Sequence, residues 1–289
     1  MKTRTGGFPL GFRRGGSEWQ RDLGGLISWA QENGFGALDI GDNGPEAIKQ
    51  IGDAGLRVGS VDALSWAGLI NADATKRQAA VAANQEYIRA CAGAGAYNFF
   101  IVMLPADPAA PRRDNFALMV ESLNALAPTL EETESRLVIE GWPGPGALCC
   151  TPETVRATFE ACPSPSIALN YDPSHLLRMG IDPLRFLREF AGRVGHVHGK
   201  DASVKADNIY EYGFEQPATF ATAPAFGAYA WRYTIPGAGE TNWPEVLSIL
   251  QENGYQGVVC IELEDANYNG TTEGEQRGLL DGALFLTEC

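Results

Sequence analysis

Four residues in this chain combine metal-binding chemistry with matched positions. Glu140 ends the apolar run Leu137-Val138-Ile139, and Asp172 follows Ile167-Ala168-Leu169-Asn170-Tyr171. His198 ends Val194-Gly195-His196-Val197, and Glu262 follows Val258-Val259-Cys260-Ile261. Each run reads as a short buried strand. The intervals between the four residues are 32, 26 and 64 positions. The first two equal about one strand–helix unit, and the third is longer by roughly the length of an aromatic-rich stretch. Side chains at adjacent strand ends of a closed barrel converge on its axis. Three carboxylates and one imidazole are hard-to-borderline ligands. They point to one divalent metal ion, Mn²⁺, Mg²⁺ or Co²⁺, with Zn²⁺ as a further candidate.

The chain has three histidines, His175, His196 and His198. Positions i and i+2 of a strand share a face, so His196 and His198 both point inward. His198 lies nearer the strand end and is the better ligand. His196 reads either as a buried residue bonded to a ligand carboxylate or as a plain core histidine. His175, three positions past Asp172, is expected at the same mouth, as a donor to a substrate oxygen or as a helix cap. Lys200 has three readings: a third acid, a group holding a hydroxyl or phosphate, or an ion pair with Asp201 or another acid. Trp66 and Trp142 follow the third and fifth strands. With Arg232, which is expected to turn inward toward substrate oxygen or a ligand carboxylate, they are candidate substrate contacts.

A repeated phrase positions these residues. A helical segment ends in Gly and a buried strand follows: Asn33-Gly34 before Ala37–Ile40, Ala54-Gly55 before Val58–Val61, Gly95 before Phe99–Leu104, and Asn253-Gly254 before Val258–Ile261. Glycine just past a helix takes the left-handed conformation that stops it. Strands apolar on both faces belong to parallel sheets covered by helices. Helix starts are marked by a capping box at Ser17–Gln20, by Pro45, Pro152, Pro183 and Pro244 in first turns, and by Thr151 and Asp182 as caps. With residues 7–10 as a weak first strand, the count is eight. At 289 residues this predicts a (β/α)8 TIM barrel, an α/β fold of a single domain spanning 1–289. The alternative, an open doubly wound sheet, lacks its Gly-rich phosphate loop. An aromatic-rich insertion over 203–234 breaks the rhythm and reads as a lid, a substrate wall or an oligomer contact.

Lys plus Arg number 22 and Asp plus Glu 36, a formal charge of −14. That balance argues against nucleic acid and anionic membranes as partners. No apolar run reaches the length of a membrane span, and Met1–Gly7 shows no secretory pattern, so a cytoplasmic location is expected. Six cysteines without a CxxC spacing are expected as reduced thiols, three or four of them buried.

The set Ile139-Glu140, Asp172-Pro173-Ser174-His175, His196-Val197-His198-Gly199-Lys200-Asp201, Ile235–Trp243 and Ile261-Glu262 resembles the xylose-isomerase-like TIM-barrel superfamily, in particular its sugar phosphate isomerase/epimerase group. The resemblance spans the chain in layout and is specific in the C-terminal half. It implies one divalent ion on Glu140, Asp172, His198 and Glu262, with the two glutamates also moving protons and His175 binding substrate; Asp201 is expected, independently of the resemblance, to support the site from behind. Where ketose 3-epimerases carry an acidic stretch with a substrate-contacting arginine, this chain has Lys200-Asp201, which leans toward inosose-type or keto-sugar relatives.

The function expected is therefore a metal-dependent isomerase or epimerase of a keto-sugar or cyclitol, working by proton abstraction through a metal-stabilised enediolate. The alternative is a lyase on the same scaffold, an inosose dehydratase or an enzyme eliminating from 3-keto-glycosides, C-glycosides included. An endonuclease IV-like phosphodiesterase needs more histidines, and a non-catalytic sugar-binding barrel would have lost one glutamate. The partner expected is a small-molecule sugar or cyclitol, and a homo-oligomer is allowed.

Overall fold

The computed structural model describes residues 1–289. Eight strands close into a parallel barrel: β1 (Leu10–Arg13), β2 (Ala37–Ile40), β3 (Arg57–Asp62), β4 (Asn98–Val102), β5 (Arg136–Glu140), β6 (Ile167–Tyr171), β7 (Val194–Gly199) and, after two further strands, β10 (Val259–Ile261). The two between, β8 (Asp201–Val204) and β9 (Trp231–Thr234), form a separate antiparallel pair. The barrel order is β1-β10-β7-β6-β5-β4-β3-β2, the (β/α)8 arrangement that the strand count implied. Contacts along the chain gather it into two compact units. One comprises Met1–Ala37, Asp172–Ala191 and His198–Cys289; the other comprises Leu38–Tyr171 and Gly192–Val197.

In the second unit β4, β5 and β6 lie in parallel register, with Ile101 opposite Ile139 and Ile139 opposite Leu169. Every residue of β6 is buried, as expected of a strand covered on both faces. Phe100, Val102, Val138 and Ala168 make one apolar cluster, and Trp66, Leu104 and Trp142 pack against it. Thr151 caps the helix Pro152–Ala161 in a reciprocal box with Thr154.

In the first unit β1 pairs with β10, Leu10 opposite Val259. The first strand was expected over 7–10 but begins at Leu10. Pro9 has no N–H to give a ladder, whereas Gly11 is required inside the strand. A Cβ there would sit 2.5 Å from the Ala37 carbonyl oxygen. The helix Leu23–Glu32 ends at Gly34, whose φ of +75° makes the left-handed stop. Asp182 caps the helix Pro183–Phe190, accepting from the Leu184 and Arg185 amides. The capping box expected at Ser17 is absent: Ser17 makes no cap bond. Its hydroxyl donates instead to Glu275 at 2.6 Å.

All six cysteines are free and buried, more than the three or four expected. Burial pushes the Cys149 thiol up to about 12, so it stays protonated. No helix is long and apolar enough to cross a membrane.

The aromatic insertion is organised. β8 and β9 pair Asp201 with Thr234 and Val204 with Trp231, and a short helix, Ala206–Tyr212, follows β8. Within it Tyr210, Phe214 and Phe220 are exposed, while Tyr233 is buried.

Candidate metal centre and proton-transfer site

Asp172 stands just past β6 as the N-cap of the helix Pro173–Arg178. Its Oδ1 accepts from the Ser174 amide at 2.8 Å and the Ser174 hydroxyl at 2.6 Å. Its Oδ2 accepts no hydrogen bond, although it is buried. The cap thus fixes one oxygen and leaves the other for a cation.

Lys200, just past β7, is the cation next to it. Its ammonium is 3.2 Å from Asp172 Oδ2, donates to Glu264 Oε2 at 3.1 Å, and also donates to Glu262 Oε2. It lies 4.6 Å from the centre of the Tyr233 ring. A lysine that is 1% exposed is rare, and it persists because carboxylates and an aromatic face replace its water. Of the three readings of Lys200, the ion pair with other acids is the one observed. Asp201 is not its partner.

Glu262, just past β10, also meets Arg13 Nε at 3.4 Å and His198 Nδ1 at 3.4 Å. Burial works to raise its carboxyl, but Lys200, His198 and Arg13 outweigh it and hold it well below the usual carboxylate range. Glu262 is therefore an anion at neutral pH.

His175 is tied on both ring nitrogens. Nδ1 is 2.7 Å from the Tyr233 hydroxyl, and Nε2 is 3.3 Å from Asp172 Oδ2. Arg178 Nη1 donates to the same hydroxyl at 2.6 Å, and its guanidinium lies 4.2 Å over the Trp231 ring. Burial also pushes the Tyr233 phenol up, despite the lysine and arginine nearby.

In the other unit, Glu140 ends β5 and accepts from Asn170 Nδ2 at 2.6 Å. His196 Nε2 and Asp39 Oδ2 lie 2.8 Å apart, both fully buried. His196 was read as bonding a ligand carboxylate; the acid at its Nε2 is Asp39, from β2.

In the first unit, donor atoms of Asp172, His198 and Glu262 all lie within 4.8 Å of one another. The donor set fits a divalent cation on three counts. It mixes carboxylates with an imidazole, one buried Asp172 oxygen accepts no hydrogen bond, and a lysine ammonium already settles among the acids.

Asp201 serves the fold. Its Oδ1 accepts from the Ala202 amide at 2.8 Å, the Thr241 amide at 3.0 Å and the Thr241 hydroxyl at 2.7 Å, and its Oδ2 accepts from Trp243 Nε1 at 3.2 Å. A Cβ on Gly239 would lie 2.3 Å from that Oδ1. The aspartate after Lys200 and the glycine–tryptophan loop that follows β9 are two halves of one clasp. Arg232 was expected to turn to substrate or to a ligand carboxylate; its Nη1 meets Asp265 at 2.8 Å, an acid that also accepts from the Ile235 amide. Trp66 donates from Nε1 to the Ala63 carbonyl at 2.7 Å and packs, like Trp142, on the apolar cluster.

The sequence reading passed over Asp39, Asn170 and Arg13, and covered Tyr233 only as part of the aromatic-rich stretch 203–234. One signal was available for two of them: a polar residue inside an apolar strand needs a buried partner, which applies to Asp39 in β2 and Asn170 in β6.

Residues 27–289 match the xylose isomerase-like TIM barrel family, and the chain belongs to it. An inosose dehydratase of Clostridium tetani is 30% identical over 146 residues, which are 50% of this chain and 46% of the dehydratase. The match thus covers about half the length of that curated relative. The 3-keto-D-glucoside 4-epimerase YcjR of E. coli superposes with a TM-score of 0.71 at 15% identity, over 98% of this chain and 100% of that one. The IOLI protein with a binding zinc atom superposes with a TM-score of 0.71 at 17% identity, over 96% and 98% of the two chains. Likeness at such identities is likeness of fold.

Proposed function

We propose that this chain is a divalent-metal-dependent isomerase or epimerase that removes the proton beside a carbonyl of a keto-sugar or cyclitol. One observation carries the reading: Asp172, His198 and Glu262 form one compact donor group in the first unit, and a further carboxylate, Glu140, ends β5 in the second. Those four residues would hold the ion, with Mn²⁺, Mg²⁺ and Co²⁺ as first candidates and Zn²⁺ next. When bound, such an ion polarises a carbonyl and so acidifies the adjoining C–H.

The chain's own groups do the rest. Glu262, kept anionic by Lys200 and Arg13, takes the proton from one face of the carbon. Glu140, with Oε2 held by Asn170, starts protonated and gives that proton to the other face, which leaves Glu262 protonated and Glu140 ionised until exchange with solvent resets the pair. Burial of Asp172, His175, His198 and Lys200 at 5% exposure or less keeps water from the reacting carbon. The names inosose dehydratase and 3-keto-D-glucoside 4-epimerase among the similar proteins support a carbonyl-bearing sugar or cyclitol as the substrate class. The surface charge of −14 supports a small-molecule substrate over nucleic acid or membrane, and the free thiols are in keeping with a cytoplasmic setting.

A second reading, elimination, is favoured by one contact. Lys200 donates directly to Glu262, which makes a base–acid pair on one side, and Glu140 is bonded by a neutral amide. A pair of that kind removes a proton and hands one to a departing hydroxyl or aglycone. Mass spectrometry of products from 3-keto-glucosides and inososes, with Mn²⁺-loaded protein, separates the two. Conserved mass with inverted configuration supports the epimerase, and loss of water or aglycone supports the lyase. Unchanged starting material across the set contradicts both.

A further inference from the structure

Beside Glu262 the first unit holds a cavity of about 300 Å³ that the proton chemistry leaves unused. Its wall includes Arg13, Arg14, Gly16, Phe226, Glu262 and Glu264. The volume is at the small end of the usual small-molecule range of about 300–1,000 Å³, and its border on Glu262 joins it to the reacting centre.

The wall's charges exclude an anionic occupant. Glu262, Glu264 and Glu275 all line the cavity, and both guanidinium groups are engaged. Arg13 faces Glu262 at 3.4 Å. Arg14 donates from Nε to the Gln20 carbonyl at 2.7 Å and from Nη2 to the Arg21 carbonyl. A phosphate placed here would meet three carboxylates against two guanidinium groups, one of them already paired with Glu262. Hydroxyl groups, which donate and accept, suit a wall that alternates carboxylates with guanidinium edges.

The remaining wall is an aromatic ring. Phe226 is a non-glycine residue at φ +54°, the conformation that L side chains rarely adopt. Its carbonyl accepts from the Tyr233 amide at 2.8 Å, which ties this bend to β9. The residue is 39% exposed, and its ring offers an apolar face of the kind that sugar C–H groups cover.

We infer that this cavity receives a second, uncharged polyhydroxylated ring, so that the substrate is a glycoside of a keto-sugar and not a free or phosphorylated monosaccharide. The inference rests on the function proposed above and narrows it. The reacting ring lies at Glu262, and the attached ring extends along Gly16 and Phe226.

The test is ligand-observed NMR titration of the whole chain with glucose, maltose and glucose 6-phosphate, each as its methyl glycoside, which has no free carbonyl and so cannot react. Maltose should bind at least fivefold more tightly than glucose, and glucose 6-phosphate more weakly than glucose. Gly16→Trp, at a position where an added Cβ meets nothing within 4 Å, should erase the maltose advantage. Phe226→Ala should reduce the same advantage. The inference is overturned if glucose 6-phosphate outbinds glucose, if maltose binds no better than glucose, or if both variants retain the full maltose advantage. Hydrogen exchange at the α-carbon of keto-sugars reports separately on the proposed chemistry, so failure of one does not pass for failure of the other.

Discussion

The Tyr233 hydroxyl meets His175 Nδ1 at 2.7 Å while it accepts from Arg178 at 2.6 Å. A neutral His175 with its proton on Nε2, the side of Asp172 Oδ2 at 3.3 Å, would accept the phenol proton on Nδ1. The opposite tautomer would set a bare ring nitrogen against a carboxylate oxygen. Tyr233 is thus a positioning residue acting through His175. Tyr233→Phe should reduce activity or metal affinity by about 10–100-fold, the range for residues that orient metal-site neighbours. Nitrogen NMR of the His175 ring reads the tautomer, and a purely structural tyrosine would lower the melting temperature without altering that spectrum.

Gly239 should tolerate no side chain. The Asp201 carboxylate occupies the space that a Cβ would need, at 2.3 Å, and the four bonds that Asp201 accepts close the loop after β9 on β8. Gly239→Ala should cost about 1–3 kcal/mol by overpacking. Calorimetric unfolding checks it, and an unchanged melting temperature would show that the clasp yields.

Glu275 ties the helix Thr272–Thr287 to the segment after β1. It accepts from Ser17, from Trp19 Nε1 at 2.7 Å and from Gln20. Burial works to raise its carboxyl, but these donors and the Gly270 amide lower it below the ordinary 4.5. The stability it contributes is complete above the unfolded value and is lost as pH falls through the lower folded value. Glu275→Gln should therefore lose about 1–2 kcal/mol at neutral pH, and the difference from the parent should shrink below pH 4. Urea unfolding at pH 7 and below pH 4 measures both. A difference that grows toward acid would contradict this account.

Much of the barrel was legible because its signals are local. Gly34 and Gly254 stop helices at φ +75° and +73°, and apolar runs after them become β2 and β10. The strand ends of β5 and β6 matched to within a residue, which placed Glu140 and Asp172 correctly along the chain. The first strand was misplaced because its cause is remote: Gly11 is needed for the approach of Ala37, and no local pattern announces that. Partnerships were less legible still. Lys200 lies 62 and 64 residues from Glu262 and Glu264, and Arg232 is 33 residues from Asp265. For each, the sequence offered several acids of equal merit. Ser17 shows the same limit, since its hydroxyl goes to Glu275 across 258 residues and not to its own helix.

The central claim is that Glu140 and Glu262 exchange a substrate proton at a divalent cation held with Asp172 and His198. The direct measurement is NMR of keto-sugars and inososes in D₂O with Mg²⁺-loaded or EDTA-treated protein, alongside Glu140→Gln and Glu262→Gln. The account predicts deuterium at the carbon beside the carbonyl with the loaded parent, none after EDTA, and a loss of about 10²–10⁴-fold in each variant with the fold intact by circular dichroism. Exchange that survives EDTA treatment, or that persists at the parental rate in both variants, would contradict it.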